Sequence, residues 1–294
     1  AFSFLTGNSI ASTLVRTVGI GLVLNQLSKN ALKDNNTGDN ANIDKGVRLQ
    51  VPPASDNKIP VLYGTAFFGG IITDAYMTAD NKTMYYCLTL SEKTGIKQSD
   101  SLDSSYVFKD IYWNDQRIVF NSDGITVNYT VDREGTVDLS ASGLVKVYCF
   151  AGSSTEPQVP ESYTNPSLSN AYDVMPNWTA NHTMNDLVFA IVRVDYNREK
   201  NVTGLGTVKF HLENSMRDPG DVLYDYMVNP MYGAGIATSE INDLSDLTTY
   251  SQQNLSYEDQ GTGAETLEDR YQINGVIDTA KPLTKILYFV LISH

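Results

Sequence analysis

The sequence predicts a mainly β protein with a small α+β part near its C-terminal end. Apolar and polar side chains alternate with a period of two over much of residues 47–212, and turn-forming pairs such as Asp123-Gly124 separate the apolar runs. After Leu212 the pattern changes to that of a short helix. With 294 residues, 41% of them hydrophobic, the chain can bury one large core or two ordinary ones.

Charge and cysteine usage exclude several classes of protein. The formal net charge is -13, from 34 acidic and 21 basic side chains, which argues against a protein that grips nucleic acid by counterion release. Cys87 and Cys149 lie inside apolar, strand-like runs and have no CxxC spacing. We therefore expect buried, reduced thiols, and neither a disulfide framework nor a zinc site.

The N-terminal segment, residues 1–46, is predicted to be a helix followed by a linker. Leu14, Val18 and Leu22 fall on one helical stripe, which would pack against a partner chain or the body of this protein. Arg16 and several polar residues break the apolar run, so no stable membrane insertion is expected. The linker is rich in Asn, Asp and Gly, which are turn formers.

Residues 47–215 are predicted to form a β-rich domain. The run "KTMYYCLTL" alternates as one strand, and "YVFKDIYWNDQRIVFNSDGITVNYTV" predicts a three-stranded meander with turns at Asn114-Asp115 and Asp123-Gly124. Asp-Gly supplies the positive φ angles of a two-residue hairpin turn, so such a turn is predicted at Asp123-Gly124. "LVKVYCFAG" adds a strand, and "NDLVFAIVRVDY", apolar on both faces, predicts a central one. A proline-rich loop insertion at about residues 152–180 is expected to form no ladder strand.

A helix is predicted after the β-rich domain. Asp218 is placed to cap it, Pro219 suits its first position, and Asn229-Pro230 ends it. Asp225 is expected near the positive end of the helix dipole, where a carboxylate needs no catalytic explanation.

The rest of the α+β part, which covers residues 216–294, is less regular. A second short helix is predicted after Ser239, and an acidic loop from Tyr257 to Asp269. The run "RYQINGVIDT" predicts a strand, and a last helix is expected from near Pro282. The chain stops within this last element, so we expect it to continue in a longer protein.

No pattern of catalytic residues stands out in the sequence. The three histidines are far apart and lack zincin spacing, and no Walker loop or nucleophile elbow occurs. His211 and Glu213 could form an acid/base pair, but a half-exposed strand edge explains their spacing better. Glu265 with Glu268 could imitate a glycosidase dyad, yet nothing fixes their separation. We therefore expect no catalytic residue, cofactor or metal.

Five segments, taken in order, resemble a known family. They are "IPVLYGTAFFGGIITD", "KDIYWNDQRIVF", "WTANHTMNDLVFAIVRVDY", "DPGDVLYDYMVNPMYGAGI" and "RYQINGVIDTAKPL". The series is similar to segments of the tail hub proteins of long-tailed bacteriophages, a family that includes lambda-like tip attachment (host-specificity) proteins and the hubs of gene transfer agents. The combinations Asn-Pro-x-Tyr-Gly and Arg-Tyr-x-Ile-Asn-Gly-Val-Ile-Asp are the most specific part of the resemblance.

The resemblance implies tail-hub-like β-barrel domains with an N-terminal helix and short C-terminal helices. It implies a structural virion protein that forms a homotrimeric ring at the distal end of the tail and is assembled in the host cytoplasm. The implied partners are the distal tail protein, the tape measure protein and tip or fibre proteins, while DNA passes on ejection without specific binding. Because family hubs usually continue into receptor-facing domains, receptor binding is not expected of this chain.

The resemblance also singles out residues with expected roles in turns, caps and packing. They are Tyr224, Asn229, Pro230, Tyr232 and Gly233 in the first of the two specific segments, and Tyr271, Asn274, Gly275 and Asp278 in the second.

Two alternatives remain open from the sequence. The first is a secreted or surface β-sandwich that binds glycans, which the meander, the aromatic residues and the proline-rich loop allow. The absence of disulfides and of a signal-peptide pattern counts against it. The second is a tail-associated, wall-degrading enzyme, which would need a positioned acid pair or a zinc site.

Overall fold

The structure is a computed structural model that describes residues 58–95, 105–164, 168–241, 246, 249, 254–258, 265–269 and 271–279. The predicted N-terminal helix, most of the second C-terminal helix and the helix near Pro282 lie outside these residues. Within the described ranges the chain is mainly β, with two large sheets, a separate two-stranded sheet and a few short helices, and this mainly β fold is what the sequence predicts.

The larger sheet has seven strands. They are β1 (Val61–Tyr63), β3 (Ile71–Met77), β4 (Thr83–Glu92), β9 (Val145–Gly152), β10 (Pro157–Gln158), β11 (Leu187–Asp195) and β15 (Gly275–Ile277). Their order is β10-β9-β11-β4-β1-β15, and β3 also pairs with β4. The strand predicted to be central is β11, which pairs with β4 on one side and β9 on the other. That prediction is confirmed.

The smaller sheet has six strands. They are β2 (Thr65–Phe68), β5 (Tyr106–Trp113), β6 (Gln116–Phe120), β7 (Val127–Val131), β8 (Val137–Asp138) and β12 (Val208–Asn214), in the order β2-β12-β5-β6-β7-β8. The predicted meander is β5-β6-β7. Asn114 and Asp115 have φ angles of 47° and 65°, which a two-residue hairpin turn of the primed type requires.

The second turn of the meander differs from the prediction at Asp123-Gly124. Of these two residues only Gly124 has a positive φ, and the loop is longer than a two-residue turn. The Asp123 carboxylate accepts hydrogen bonds from the backbone N–H groups of Ile125 and Thr126, both at 2.9 Å. The aspartate therefore shapes this loop with its side chain, as in an Asx turn.

The main core lies between the two sheets. Leu88 and Leu90 from the larger sheet meet Phe108 and Phe210 from the smaller one, and the two phenylalanine rings are 6.2 Å apart, edge to face. Backbone hydrogen bonds join the sheets along one corner, where the N–H of Val147 donates to the carbonyl of Ile125 at 2.9 Å. The sheets together form an incomplete barrel.

The proline-rich insertion packs against the body of the protein. It contains the short helix α1 (Ala171–Val174), and its Met175 and Trp178 cover the outer face of the larger sheet beside Phe189. Tyr163 lies against Phe120 of the smaller sheet, with ring centroids 5.6 Å apart. The insertion thus covers apolar surface that would otherwise face solvent.

Two predictions of irregular structure are wrong. Pro157 and Gln158 form β10, which pairs with β9 at the edge of the larger sheet, a place where the missing N–H of proline is tolerated. The stretch predicted to be an acidic loop contains the end of β13 (Asn254–Glu258) and all of β14 (Glu265–Asp269), and these two strands pair antiparallel.

The helix after the β-rich domain is α2 (Pro219–Val228), and it begins and ends as predicted. The Asp218 side chain accepts hydrogen bonds from the N–H groups of Gly220 and Asp221, and Asn229 is the C-cap. A 3-10 turn, Thr238–Glu240, follows. The division at residue 215/216 stays a prediction, although β15, from the C-terminal part, pairs with β1.

Both cysteines are buried thiols, as predicted. Cys87 lies on the outer face of the larger sheet, in the cluster that contains Trp178. Cys149 faces the core between the sheets. Burial raises the pKa of Cys87 to about 12 and also raises the pKa of Cys149. Neither is therefore a thiolate near neutral pH.

The chain crosses between the sheets at two glycines. β1 belongs to the larger sheet, β2 to the smaller and β3 to the larger again, and Gly64 and Gly70 at the two crossings have φ angles of 62° and 71°. A Cβ on Gly64 would lie 2.2 Å from both Asn274 Oδ1 and the carbonyl oxygen of Ile273. Only glycine therefore fits at this crossing.

Gly64→Ala should strongly lower the free energy of unfolding, measured by urea titration. Gly135→Ala is the matched control, because its φ of 85° is equally left-handed but no atom lies within 4 Å of the added Cβ. We expect a cost of about 1 kcal/mol for Gly135→Ala from the backbone alone, and roughly 3 kcal/mol or more for Gly64→Ala. Equal losses in the two variants would contradict the steric account.

Candidate functional site

The residues singled out by the two specific segments gather where α2 and the following loop pack against β1 and β15. We call this region the junction and define it by a buried cluster that is separate from the main core. Its members are Val61, Tyr63, Met216, Val222, Leu223, Tyr226, Tyr232, Ile273 and Ile277.

A buried carboxylate lies at the centre of the junction. Asp225 on α2 has no exposed surface. Its Oδ2 accepts hydrogen bonds from the hydroxyls of Tyr63 at 2.6 Å and Tyr232 at 2.7 Å. The N–H of Gly95 donates to Oδ1 at 3.4 Å. A buried carboxylate is tolerated only when donors replace its water, and hydrogen bonds to a charged acceptor are the strong ones.

The role of Asp225 was missed from the sequence. It lies in the C-terminal half of α2, so the expectation that it sits near the positive end of the dipole is wrong. A local signal did exist. Asp225 follows Val222 by three positions and precedes Tyr226, so an acidic residue lies on the apolar stripe of the helix. Nothing local indicates which hydroxyls would reach it.

A second buried polar side chain ties the junction to both sheets. Asn214, at the end of β12, donates through Nδ2 to the carbonyl of Leu62 at 2.7 Å and to Thr94 Oγ1 at 2.8 Å. The same nitrogen lies 3.2 Å from the Tyr106 hydroxyl, and Asn214 Oδ1 accepts from the N–H of Met216 at 3.0 Å. Both the nitrogen and the oxygen of the Asn214 side chain thus have hydrogen-bond partners within the fold.

The Asn-Pro-x-Tyr-Gly segment forms a tight loop that delivers one of the tyrosines. Asn229 Oδ1 accepts hydrogen bonds from the N–H groups of Met231 at 2.9 Å and Tyr232 at 3.3 Å. Gly233 passes so close to α2 that a Cβ would lie 2.0 Å from the carbonyl oxygen of Tyr226. The cap and the glycine together place the Tyr232 hydroxyl against Asp225.

The second specific segment packs against the crossing at Gly64. Asn274 Oδ1 accepts a hydrogen bond from the N–H of Thr65 at 3.0 Å. Gly275 starts β15 and pairs with Tyr63 in the antiparallel register. The first segment thus meets β1 at the Tyr63 hydroxyl, through Asp225. The second segment pairs with the backbone of β1.

The other singled-out residues lie nearby with less defined roles. Tyr224 is half-buried on α2, and Pro230 is exposed. Tyr271 and Asp278 are half-buried on either side of β15. All of these positions suit structural roles in turns and packing, and such roles stay a prediction.

The histidine and glutamate considered as an acid/base pair have different partners. β12 lies between β2 and β5, so the expectation of a strand edge is wrong. The His211 ring stacks on Phe67 at 4.1 Å, and its Nε2 lies 3.1 Å from Thr65 Oγ1. Glu213 instead forms an ion pair with Lys109 at 3.1 Å. The arrangement does not couple the two side chains.

An open cleft of about 1050 Å³ lies on the outer face of the smaller sheet. We call it the aromatic–arginine cleft; among the residues that line it are Phe67, Tyr112, Arg117, Arg133 and Lys209. Burial raises the pKa of Tyr112 and Asp110 adds to the rise, while the charges of Arg117 and Arg133 oppose it.

None of the described helices is both long and apolar enough to cross a membrane. Across the described ranges, no three side chains of the metal-binding types come together.

Comparisons with known proteins do not assign the chain to a family. No protein-family model matches the sequence, and no curated protein matches it. Among solved structures, the chain is similar to one from the virion of a native gene transfer agent (GTA) particle, with 11% sequence identity and a TM-score of 0.29. The match covers 70% of this chain and 39% of that chain. A TM-score of this size is too low to establish a shared fold.

Tyr232→Phe should destabilise the protein because it removes one of the two hydroxyls that donate to the buried Asp225. A hydrogen bond to a charged group contributes about 1.5–3 kcal/mol, and we expect a loss of that size in the free energy of unfolding. Tyr196→Phe, at a tyrosine that is 51% exposed, is the control and should change stability little. Equal stability of the two variants would show that the junction does not depend on this contact.

The junction should also weaken in alkali. Burial, followed by the charge of Asp225, raises the pKa of Tyr63 well above its ordinary value of 10.0, and the same two causes raise that of Tyr232. Since both pKa values are raised in the folded state, their stabilising contribution is complete below about pH 10 and is lost as the pH rises above it. Each tyrosine should steepen the loss by about 1.4 kcal/mol per pH unit.

The measurement is the free energy of unfolding between neutral pH and strongly alkaline pH. The double variant Tyr63→Phe and Tyr232→Phe should be less stable at neutral pH and should lose stability more gradually above pH 10. An unchanged slope would mean that other groups cause the alkaline loss.

Proposed function

We propose that the chain is a structural virion protein, the tail hub of a long-tailed bacteriophage or gene transfer agent. The observation that carries the proposal is the meeting of the two most hub-like segments at one buried junction. Asn229, Tyr232 and Gly233 from the first segment and Asn274 from the second are used for caps, close packing and hydrogen bonds. These are the roles that a scaffold needs.

Among the residues that the structure describes, the junction offers no open position for a reaction. Asp225 is fully buried and two tyrosine hydroxyls occupy one of its oxygens, so it is held as a fixed acceptor. A general acid or base must instead reach its substrate directly or through one water molecule. The geometry therefore favours a non-enzymatic role.

In this proposal three copies form a ring at the distal end of the tail. Homo-oligomers bury apolar surface between copies, and the described part of the chain exposes several large apolar side chains. Outside the aromatic–arginine cleft these are Met77, Val137, Leu139 and Met231. The ring would contact the distal tail protein above and tip or fibre proteins below, and it would meet the tape measure protein.

The charge of the chain suits a passage for DNA. A formal net charge of -13 repels phosphates and lowers non-specific adhesion of a nucleic acid that must move past. In the proposal, DNA therefore crosses the ring during ejection without a specific binding site. Assembly takes place in the host cytoplasm, and the mature location is the virion.

Native mass spectrometry of the protein purified from its natural source tests the proposal. We expect a trimer, and immunogold labelling of intact particles should mark the end of the tail. A stable monomer that is absent from particles would overturn the proposal and favour a stand-alone binding module. Destabilised Tyr232→Phe chains should enter particles poorly, whereas Tyr196→Phe chains should enter normally.

A further inference from the structure

The aromatic–arginine cleft is built on a row of cross-strand neighbours. Lys209 pairs with Tyr112, Tyr112 with Arg117, and Arg117 with Val131. Directly paired residues of antiparallel strands share one face of a sheet, so these four side chains lie side by side on the outer face. Strand pairing therefore fixes the spacing of these four positions along the floor of the cleft.

Aromatic rings form one wall of the cleft. Phe67 is 38% exposed, and its ring lies 5.8 Å from that of Tyr112 at an interplanar angle of 66°. His211 stacks on Phe67 at 4.1 Å and limits the movement of its ring. An aromatic side chain held in place and partly open to solvent offers apolar contact at low entropic cost.

The charges of the cleft balance. Arg117, Arg133 and Lys209 line it together with three carboxylates, those of Asp115, Asp132 and Glu134. A cleft of zero formal charge suits a neutral ligand better than a polyanion such as nucleic acid.

Several of these charged groups are already engaged. Lys209 forms an ion pair with Asp115. Asp132 Oδ1 accepts hydrogen bonds from the N–H groups of Glu134 and Thr136, at 2.9 and 2.8 Å, and hydrogen bonds of this kind lower its pKa.

Donors remain for a ligand. Arg117 has a long 3.7 Å contact with Asp110, and Arg133 makes no ion pair or hydrogen bond with the described residues. At the rim, the side-chain oxygens of Asn114 and Gln116 already accept hydrogen bonds from Thr207 and Thr130, so these two amides offer their nitrogens as donors. Guanidinium, amide and carboxylate groups together supply both the donors and the acceptors that a ligand rich in hydroxyls requires.

From these observations we infer that the aromatic–arginine cleft binds a neutral oligosaccharide. The apolar face of a sugar ring would lie against Phe67, and its hydroxyls would bond to Arg133, Arg117 and the rim amides. A volume of about 1050 Å³ lies just above the usual range for small-molecule sites and leaves room for more than one sugar ring. This binding activity goes beyond the scaffold role and does not depend on it.

The test is titration of the full chain with three hexasaccharides, followed by calorimetry and by amide chemical shifts. The probes are an α-1,4-linked glucose hexamer, an N-acetylglucosamine hexamer and an anionic galacturonate hexamer. We expect at least one neutral hexamer to bind, with shifts centred on Phe67 and Tyr112 and little dependence on salt. Binding of none of the three, or of the galacturonate hexamer alone with steep salt dependence, would overturn the inference.

Two pairs of variants locate the site. Arg133→Gln, at an exposed side chain, should weaken binding about 10-fold because it removes one charge-assisted hydrogen bond. Phe67→Ala should weaken binding by a similar factor because it removes one aromatic contact. Arg198→Gln and Tyr196→Ala change an exposed arginine and an exposed tyrosine outside the cleft, and should leave affinity unchanged. If Phe67→Ala lowers stability, Arg133→Gln alone decides the outcome. Equal affinity of Arg133→Gln and Arg198→Gln would place the ligand elsewhere.

Discussion

The need to satisfy one buried carboxylate organises the C-terminal part of this protein. Asp225 has no access to water, so its charge must be met by donors within the fold. Tyr63 reaches it from β1 and Tyr232 from the loop after α2, and each contact constrains the backbone that carries it. Because an uncompensated buried charge is costly, these hydrogen bonds favour the arrangement in which strand, helix and loop pack together.

Near this carboxylate, backbone segments from different elements approach one another closely. Gly64 lets the chain leave the larger sheet directly after Tyr63. At this crossing the side chain of Asn274 accepts a hydrogen bond from the N–H of Thr65. Asn214 links the same strand to the smaller sheet. Side chains that are far apart in sequence thus share one small volume, and small changes in backbone position would break several hydrogen bonds at once.

The two sheets differ in how their outer faces are used. The larger sheet is covered by the proline-rich insertion, where Met175 and Trp178 form a second apolar layer. On the smaller sheet, the outer face near Phe67 and Tyr112 is open and mixes aromatic with charged side chains. One face therefore contributes to stability, while the other is available for contacts with ligands or partner chains.

The sequence by itself determined the local elements of this protein. Period-two alternation predicted β4, β9 and β11, and the break in that alternation predicted a turn at Asn114-Asp115. The cap at Asp218 predicted the start of α2. Each of these features depends on neighbouring residues. Tertiary structure decided what depends on distant ones. The Asp225 hydrogen bonds and the shared face of Lys209 and Tyr112 join segments that no local pattern relates. A side chain's spacing along the chain reports its own strand or helix, whereas its partners are set by how those elements pack.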